Sequence, residues 1–497
     1  MAAVAAGPVV LAGTAGARRL AFRRNQRRAA EKNARLAGHH YVDPVAPGLG
    51  RAVAELTPEQ LAFQRYFLDR ALQPVDTFDG FEFFDQFREA ALRYQLSYAQ
   101  WSLALSHYRY APAFSGYLAE AQRRLIEKMT DRRVWQYWRW ENMWGNFRLD
   151  PDPIRRDNIM LSGYYGVSLA THQDLTGDRR YDEPGSLPFR WNARRVFAYD
   201  APAIAQAVAG NMSRSSYGLY PCEPNWVYSI CNTIGMAGLA AYDRLHGTSL
   251  SEPLLPRFRD SFEHEFSQVD GRPVTIRASR AGISVPGLAA STANEAGVVF
   301  WLSPSLHDVA WRSWLICREH VAGRDGPGSP GPVFQSPVDR IDLGNYRLTW
   351  GPLTYALGLA AAREMGDGEV CGRLEAGLAA TAPPTTTGGV LEYPATVTSN
   401  LMMGPGVFGG ERAWHDLLAY GTPGERHTWP QLAEASYPDV LVARAVSDSQ
   451  SIHLVLYPGS RPGPCTLGFS RLGPHRRYVV KQAGESFVSG PDGRASI

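Results

Sequence analysis

From about Thr57 to about residue 430, apolar residues recur three and four positions apart; after about Ser436 they alternate with polar ones. This change of period constrains the fold more than any other feature. Several hundred residues of helical period must bury their apolar stripes against other helices, which leaves no room for a central parallel sheet. The runs Gln60–Ala71, Phe83–His107 and Pro112–Met129 predict long helices. Glycine closes comparable runs at Leu175-Thr176-Gly177-Asp178, Leu245-His246-Gly247-Thr248 and Glu364-Met365-Gly366-Asp367, where a left-handed residue can cap a helix. The spacing of these stops suits stacked helical hairpins closing into an α/α toroid over 57–430. Gly326–Pro337 and Ala382–Gly389 predict loops. Short β-type runs at Val440–Val446, Ser451–Tyr457, Cys465–Ser470 and Arg477–Lys481, separated by Pro-Gly and Gly-Pro turns, predict a small antiparallel appendage over 436–497.

Residues 1–50 read as a basic and apolar leader. Met1 to Ala17 are mostly small and apolar, and Arg18, Arg19, Arg23, Arg24, Arg27 and Arg28 follow. A cleavable secretory signal carries its charges first, so none is evident, and the apolar run is too short to span a bilayer. The expectation is a segment dispensable for folding, disordered or a weak membrane tether, on a cytoplasmic or membrane-associated protein. A net charge of +3 without a basic stripe argues against nucleic-acid binding. Five cysteines, with no CxxC pair, suggest neither a disulfide framework nor a zinc site. Walker A, GxSxG, HExxH and the acidic diphosphate–metal motifs of terpene synthases are missing, so no cofactor and no metal are expected.

Chemistry concentrates in Cys222-Glu223-Pro224-Asn225-Trp226-Val227-Tyr228-Ser229-Ile230-Cys231-Asn232. Pro224 can open a helix, and Trp226 to Leu245 predicts a buried helix stopping at Gly247. On one straight helix the two sulfurs would face opposite ways, at roughly 100° per residue. With Cys222 in a preceding loop, both can reach one cavity, and a thiol near a helix N-terminus has its pKa lowered. Two inert buried cysteines are the alternative. The dense aromatic run from Trp135 through Trp138, Trp140 and Trp144 to Phe147 fits either a substrate cavity or packing between helices.

Five blocks, in order, resemble the linalool dehydratase-isomerase family: Lys128-Met129 with Arg133-Val134-Trp135; Asn158-Ile159-Met160 followed by Leu175–Tyr181; Cys222-Glu223-Pro224 with Cys231-Asn232; Tyr242–Thr248; and Ala362–Asp367. The resemblance implies an (α/α)6 barrel and metal-free acid–base chemistry that interconverts a tertiary allylic terpene alcohol, its alkene and its primary isomer. It carries the active-site thiols to Cys222 and Cys231 and the adjacent acid to Glu223. Tyr164 stands where the family histidine falls, and His172 is the nearest histidine. The later family tyrosine falls near Ala290-Ser291, and the N-terminal acid nearest to Asp76 and Asp79. The expected catalytic set is therefore Cys222, Cys231, Glu223, Tyr164 and Asp79. Trp226, Tyr228, Met160, Trp138, Asp76 and His172 are expected to bind substrate. The expected partner is a hydrophobic isoprenoid, on a protein that can form homo-oligomers, acting by dehydration, hydration, isomerisation or cyclisation. Helical toroids also host carbohydrate lyases, hydrolases and epimerases; there Tyr164, Tyr165, Glu141 and Trp135–Trp144 would serve instead. A non-catalytic scaffold is the third reading.

Overall fold

The computed structural model describes residues 2–83, 85–88, 90–284, 291–323, 332, 337–340, 351–459 and 463–497, with side chains from residue 19 onward. The helices are α1 (Ala2–Leu36), α2 (Pro58–Ala71), α3 (Leu92–Tyr110), α4 (Tyr117–Lys128), α5 (Arg132–Trp135), α6 (Trp138–Asn146), α7 (Ile159–Thr176), α8 (Ala201–Arg214), α9 (Ser229–His246), α10 (Leu255–His264), α11 (Thr292–Leu302), α12 (His307–Ala322), α13 (Pro352–Glu364), α14 (Gly368–Thr381), α15 (Val397–Phe408) and α16 (Ala413–His415). The protein is mostly helical with small antiparallel sheets. Helices α3, α7, α9, α11, α13 and α15 pack in that order, and α15 returns to α3. Helices α4, α8, α12 and α14 lie against α3, α7, α11 and α13. The inner helices are buried on nearly every side: α7 leaves almost no side chain from Ile159 to Leu175 exposed.

Local chemistry explains most helix ends. Thr57 and Gln60 form a reciprocal capping box at the start of α2. Gly177 and Gly247 sit at φ 73° and 64° as left-handed caps of α7 and α9, and Gly366 follows α13 at φ 69°. Other helices begin later than periodicity suggests. The Phe83–His107 run starts its helix at Leu92, and Pro112–Met129 starts at Tyr117, because Gly116 and the turn at Ala111–Phe114 interrupt the apolar pattern. The helix expected from Trp226 begins at Ser229. Trp226–Tyr228 is instead a strand, paired antiparallel with Ile276–Ala278. Ala382–Gly389 contains the first arm of a hairpin, Thr385–Thr387 against Val390–Glu392. The Gly326–Pro337 loop lies almost wholly outside the described residues.

The motif blocks turn out to be largely structural. Asp243 accepts hydrogen bonds from Thr248, Leu250 and Ser251, closing the turn after α9, while Arg244 pairs with Asp174 at 2.8 Å. Buried Glu364 accepts from Ser303 Oγ and from the backbone N–H groups of Trp414 and His415, joining α13 to α16. Asp367 caps α14 and pairs with Arg318.

The C-terminal strands share the main core. Val440–Ser447 pairs antiparallel with Ile452–Pro458, and Gly468–Ser470 lies between Gln431–Glu434 and Ala495–Ser496. Val442, Ala443 and Ala445 are fully buried, and Leu432 exchanges backbone hydrogen bonds with Ala113 and Ser115.

The leader also differs from its expectation. It is helical, and its end is tied down: Lys32 is buried, 3.6 Å from Asp270, which also pairs with Arg272 at 2.8 Å. Removing one partner of a buried pair costs roughly 3–5 kcal/mol, less here because Arg272 still faces Asp270. Lys32→Ala should therefore lower unfolding free energy by about 2 kcal/mol. Thermal melts of this variant and of a chain lacking residues 1–40 should both shift downward; an unchanged transition in the truncated chain would restore the dispensable leader.

Candidate active site

The site begins where α7 and α9 touch. A Cβ added to Gly163 would lie 2.9 Å from the Gly235 Cα, and one on Gly238 would lie 3.0 Å from the Val167 backbone nitrogen. The two helices therefore pack backbone to backbone, and larger residues would force them apart. Tyr164, next to Gly163, and Cys231, one turn before Gly235, are carried into contact: the Tyr164 hydroxyl lies 3.7 Å from the Cys231 sulfur.

Cys222 reaches the same place from a tightly held loop. Its N–H donates to Trp226 O at 2.9 Å, and its carbonyl accepts from Asn158 N at 3.1 Å. Asn225 turns the chain at φ 77°. Two asparagines brace this loop. Asn232 Oδ1 accepts from Tyr220 N, and its Nδ2 donates to the carbonyls of Tyr220 and Tyr228. Asn158, itself left-handed at φ 63°, donates to Pro153 O and accepts from the Tyr137 hydroxyl at 2.6 Å. The Asn of each motif thus holds the thiol loop rather than facing a ligand.

Cys222 and Cys231 are both free, buried and hydrogen-bonded to each other through their side chains. Burial, then the Cys231 sulfur and the nearby Glu223 charge, push the Cys222 thiol well above the usual range. The expected lowering by a helix N-terminus does not occur, because α9 starts seven residues later and Cys222 is enclosed. Tyr164 is likewise raised by burial and then by Cys231. At neutral pH both groups hold their protons.

Beside the thiols lies a charged and aromatic wall from α3. Arg93 is fully buried; its guanidinium donates to Gln86 O at 2.6 Å and to Met160 Sδ at 3.5 Å. It stacks over Tyr137 and Tyr94 at 4.0 and 4.5 Å. Burial pulls its pKa down, but the phenols of Tyr137 and Tyr94 and the Glu223 carboxylate leave it higher than usual. Tyr94 is raised by burial, with Arg93 opposing and the Cys231, Glu223 and Cys222 charges adding to it, and its hydroxyl donates to Met160 Sδ at 3.2 Å. The rings of Tyr94, Tyr98 and Trp101 surround Tyr164 at 5.4, 6.3 and 5.1 Å, and Trp301 closes on Trp101 at 5.0 Å.

The structure brings together Cys222, Cys231, Glu223, Tyr164, Met160 and Tyr228, whose N–H reaches the Cys222 sulfur. It does not bring in the others. Asp76 and Asp79 are exposed on the turn after α2, where their carbonyls accept from Arg133 and Gln73. His172 is buried at the far end of α7, 3.8 Å from Asp178 and against Tyr181, about 80° round the helix from Tyr164. Trp226 points outward and Trp138 is core at the start of α6. Ala290 lies outside the described residues, while Ser291 caps α11 and donates to Asp339. The carbohydrate set is also dispersed. Trp135 packs on Phe189, Trp191 and Phe197, Tyr165 donates to Ile126 O, and Trp140 and Trp144 face solvent.

Arg93, Tyr94, Tyr98 and Trp101 were not anticipated. Their signal was a run, Leu92–Tyr110, that sets Arg93 beside Tyr94, Tyr98 and Trp101 at helical spacing. Among the described residues, no three His, Cys, Asp or Glu side chains converge as a metal site requires.

A linalool dehydratase/isomerase family model matches residues 93–399, more than half of the chain. Among solved structures, the chain is similar to a GH76A alpha-1,6-mannanase from Salegentibacter sp. HEL1_6, at 13% identity and a TM-score of 0.40, over 70% of this chain and 98% of that one. A likeness that distant carries no argument about fold or chemistry.

Burial also orders the reactivity of the five thiols. Cys465 is exposed and the other four are buried. Native alkylation followed by mass spectrometry should give one fast adduct, on Cys465, and four more only after unfolding. The glycine seam has its own test: Gly235→Val should cost about 1–3 kcal/mol by overpacking and should separate Tyr164 from Cys231. A denaturant melt and loss of turnover would report the two effects.

Proposed function

The chain belongs to the linalool dehydratase/isomerase family, and on that premise we propose that it is a lyase or isomerase using acid–base chemistry, without a metal, on an isoprenoid allylic alcohol or alkene. One observation carries the reading: Cys231 is in contact with both Cys222 and Tyr164, inside a wall of aromatic rings. The cyclic packing order of α3, α7, α9, α11, α13 and α15 supports an (α/α)6 barrel whose inner helices supply this site.

The chemistry follows from protonation states. Loss of water from an allylic alcohol needs a proton delivered to its oxygen, a means of tolerating positive charge on carbon, and a base for a carbon-bound proton. Cys222 and Tyr164 are held protonated by burial, so each is a proton donor, and Cys231 between them links the two. The faces of Tyr94, Tyr98, Trp101 and Trp301 favour an allylic cation electrostatically. The thiolate left by proton donation, or the Glu223 carboxylate, takes the proton from carbon, giving alkene plus water. Run backwards, the same groups protonate the alkene and water adds. Re-addition of water at the other allylic end gives the isomer. Arg93, stacked on Tyr94 and Tyr137 and electrostatically favourable to the Glu223 carboxylate, positions these groups rather than reacting. Tyr164 occupies the family histidine's place, so its phenol substitutes for an imidazole as the proton relay to Cys231.

Three variants test this with an isoprenoid alcohol turnover assay followed by gas chromatography. Cys222→Ala and Cys231→Ala should each lower turnover roughly 10²–10⁴-fold. Tyr164→Phe, which keeps the ring packing and removes only the hydroxyl, should also lose turnover with little change in melting temperature. EDTA should have no effect. Full activity in both cysteine variants, or activity abolished by chelation, would overturn the mechanism.

A further inference from the structure

The outward part of the aromatic run that the sequence singled out, Trp140 to Phe147, is not used by the site and forms a surface of its own. On α6 and the turn that follows, Trp140, Trp144, Phe147 and Leu149 all face solvent, with Trp144 and Phe147 75 and 86% exposed. Phe147 is thrust outward because it ends α6 in a left-handed conformation, φ 55°, which no glycine provides here. This face is continuous with the thiol loop. A Cβ on Gly145 would collide with the Pro224 ring, so α6 lies flush on the Cys222–Trp226 loop, and Arg280 reaches across to the Gly145 carbonyl. Exposed Trp226 and Ile283 extend the same surface from the strand pair beside that loop.

Three arginines border it. Arg139 lies over Trp140, Arg148 follows Phe147, and Arg280 borders Gly145; none of the three has a carboxylate partner among the described residues. The nearest acids are otherwise engaged. Asp150 pairs with Arg155 and Arg195, and Glu141 is partly buried, its pKa raised by that burial.

We propose that this face docks the protein on an anionic lipid bilayer, with Trp144 and Phe147 inserted at headgroup depth and Arg139, Arg148 and Arg280 on the lipid phosphates. Tryptophan and phenylalanine ringed by arginine suit the polar–apolar boundary of a membrane. A two-fold contact with a second copy would set the same unpaired arginines against each other. The location deepens the reading of an apolar substrate, since the surface adjoins the loop that carries Cys222 and Glu223. Its test needs no substrate, so either reading can fail alone.

The full chain is floated with extruded vesicles of phosphatidylcholine, with and without phosphatidylglycerol, and its tryptophan fluorescence is followed with brominated phosphatidylcholine. Binding to the anionic vesicles, weakened by salt, is expected. Trp144→Ser/Phe147→Ser should lower partitioning by roughly tenfold or more, and Arg139→Gln/Arg148→Gln/Arg280→Gln should erase the preference for phosphatidylglycerol. Trp144→Phe, which keeps the surface apolar and the fold undisturbed, should retain binding but lose much of the quenching. Replacing the six leader arginines, Arg18 to Arg28, by Gln should leave quenching intact. Unchanged binding in the Trp144/Phe147 variant, or binding lost only with the leader arginines, would overturn the proposal. So would the absence of vesicle binding with an oligomer that the same substitutions dissociate, which would make the face a contact between copies.

Discussion

Two helices meeting backbone to backbone set the terms for the rest of the molecule. Helices α7 and α9 approach through Gly163, Gly235 and Gly238 closely enough that a single added Cβ would be too near its neighbour. Dispersion rises steeply as surfaces close, so this seam favours one register and one separation. That register puts the Tyr164 hydroxyl at the Cys231 sulfur. Loss of the close approach would leave both side chains buried and intact but apart.

The second constraint is the polar bracing of the Cys222 loop. A loop inside a protein must satisfy its own N–H and C=O groups, and here the Asn232 side chain and the Asn158 backbone N–H do much of that work. The thiols are thereby held in a dry environment without being themselves the source of rigidity. Dryness raises Cys222 and Tyr164, so the site holds protons to donate. Arg93 is tolerated at full burial because two phenol faces, a carbonyl, a thioether sulfur and a carboxylate surround it.

Elements at the two ends of the chain are woven into this body. Strand Val440–Ser447 shares the core and closes over the α3–α4 turn, while Lys32 brings the end of α1 to the Asp270–Arg272 pair. Both contacts join residues hundreds of positions apart, and a reading of local period or composition has no access to them. The leader shows why: an arginine-rich helix looks solvated until a buried carboxylate is found opposite Lys32, its one lysine.

The sequence by itself determined the helical body, the β-type end, the family and the thiol motif, because each depends on local period or on residues close in the chain. The resemblance also implied that Tyr164 falls at the family histidine's position. What it could not determine was which helix faces which. His172 and Tyr164 lie on one helix, yet one meets Asp178 and the other Cys231. Asp76 and Asp79 were the nearest acids in the alignment of motifs but stand on an outer turn. Arg93, the cation beside Glu223, arrives from a helix some 130 residues earlier, and nothing near Cys222 announces it. Even the start of α9 was decided by tertiary pairing: Trp226–Tyr228 is strand because Ile276–Ala278 supplies its hydrogen bonds, and no helix-forming signal in those three residues could outweigh a partner about fifty positions away.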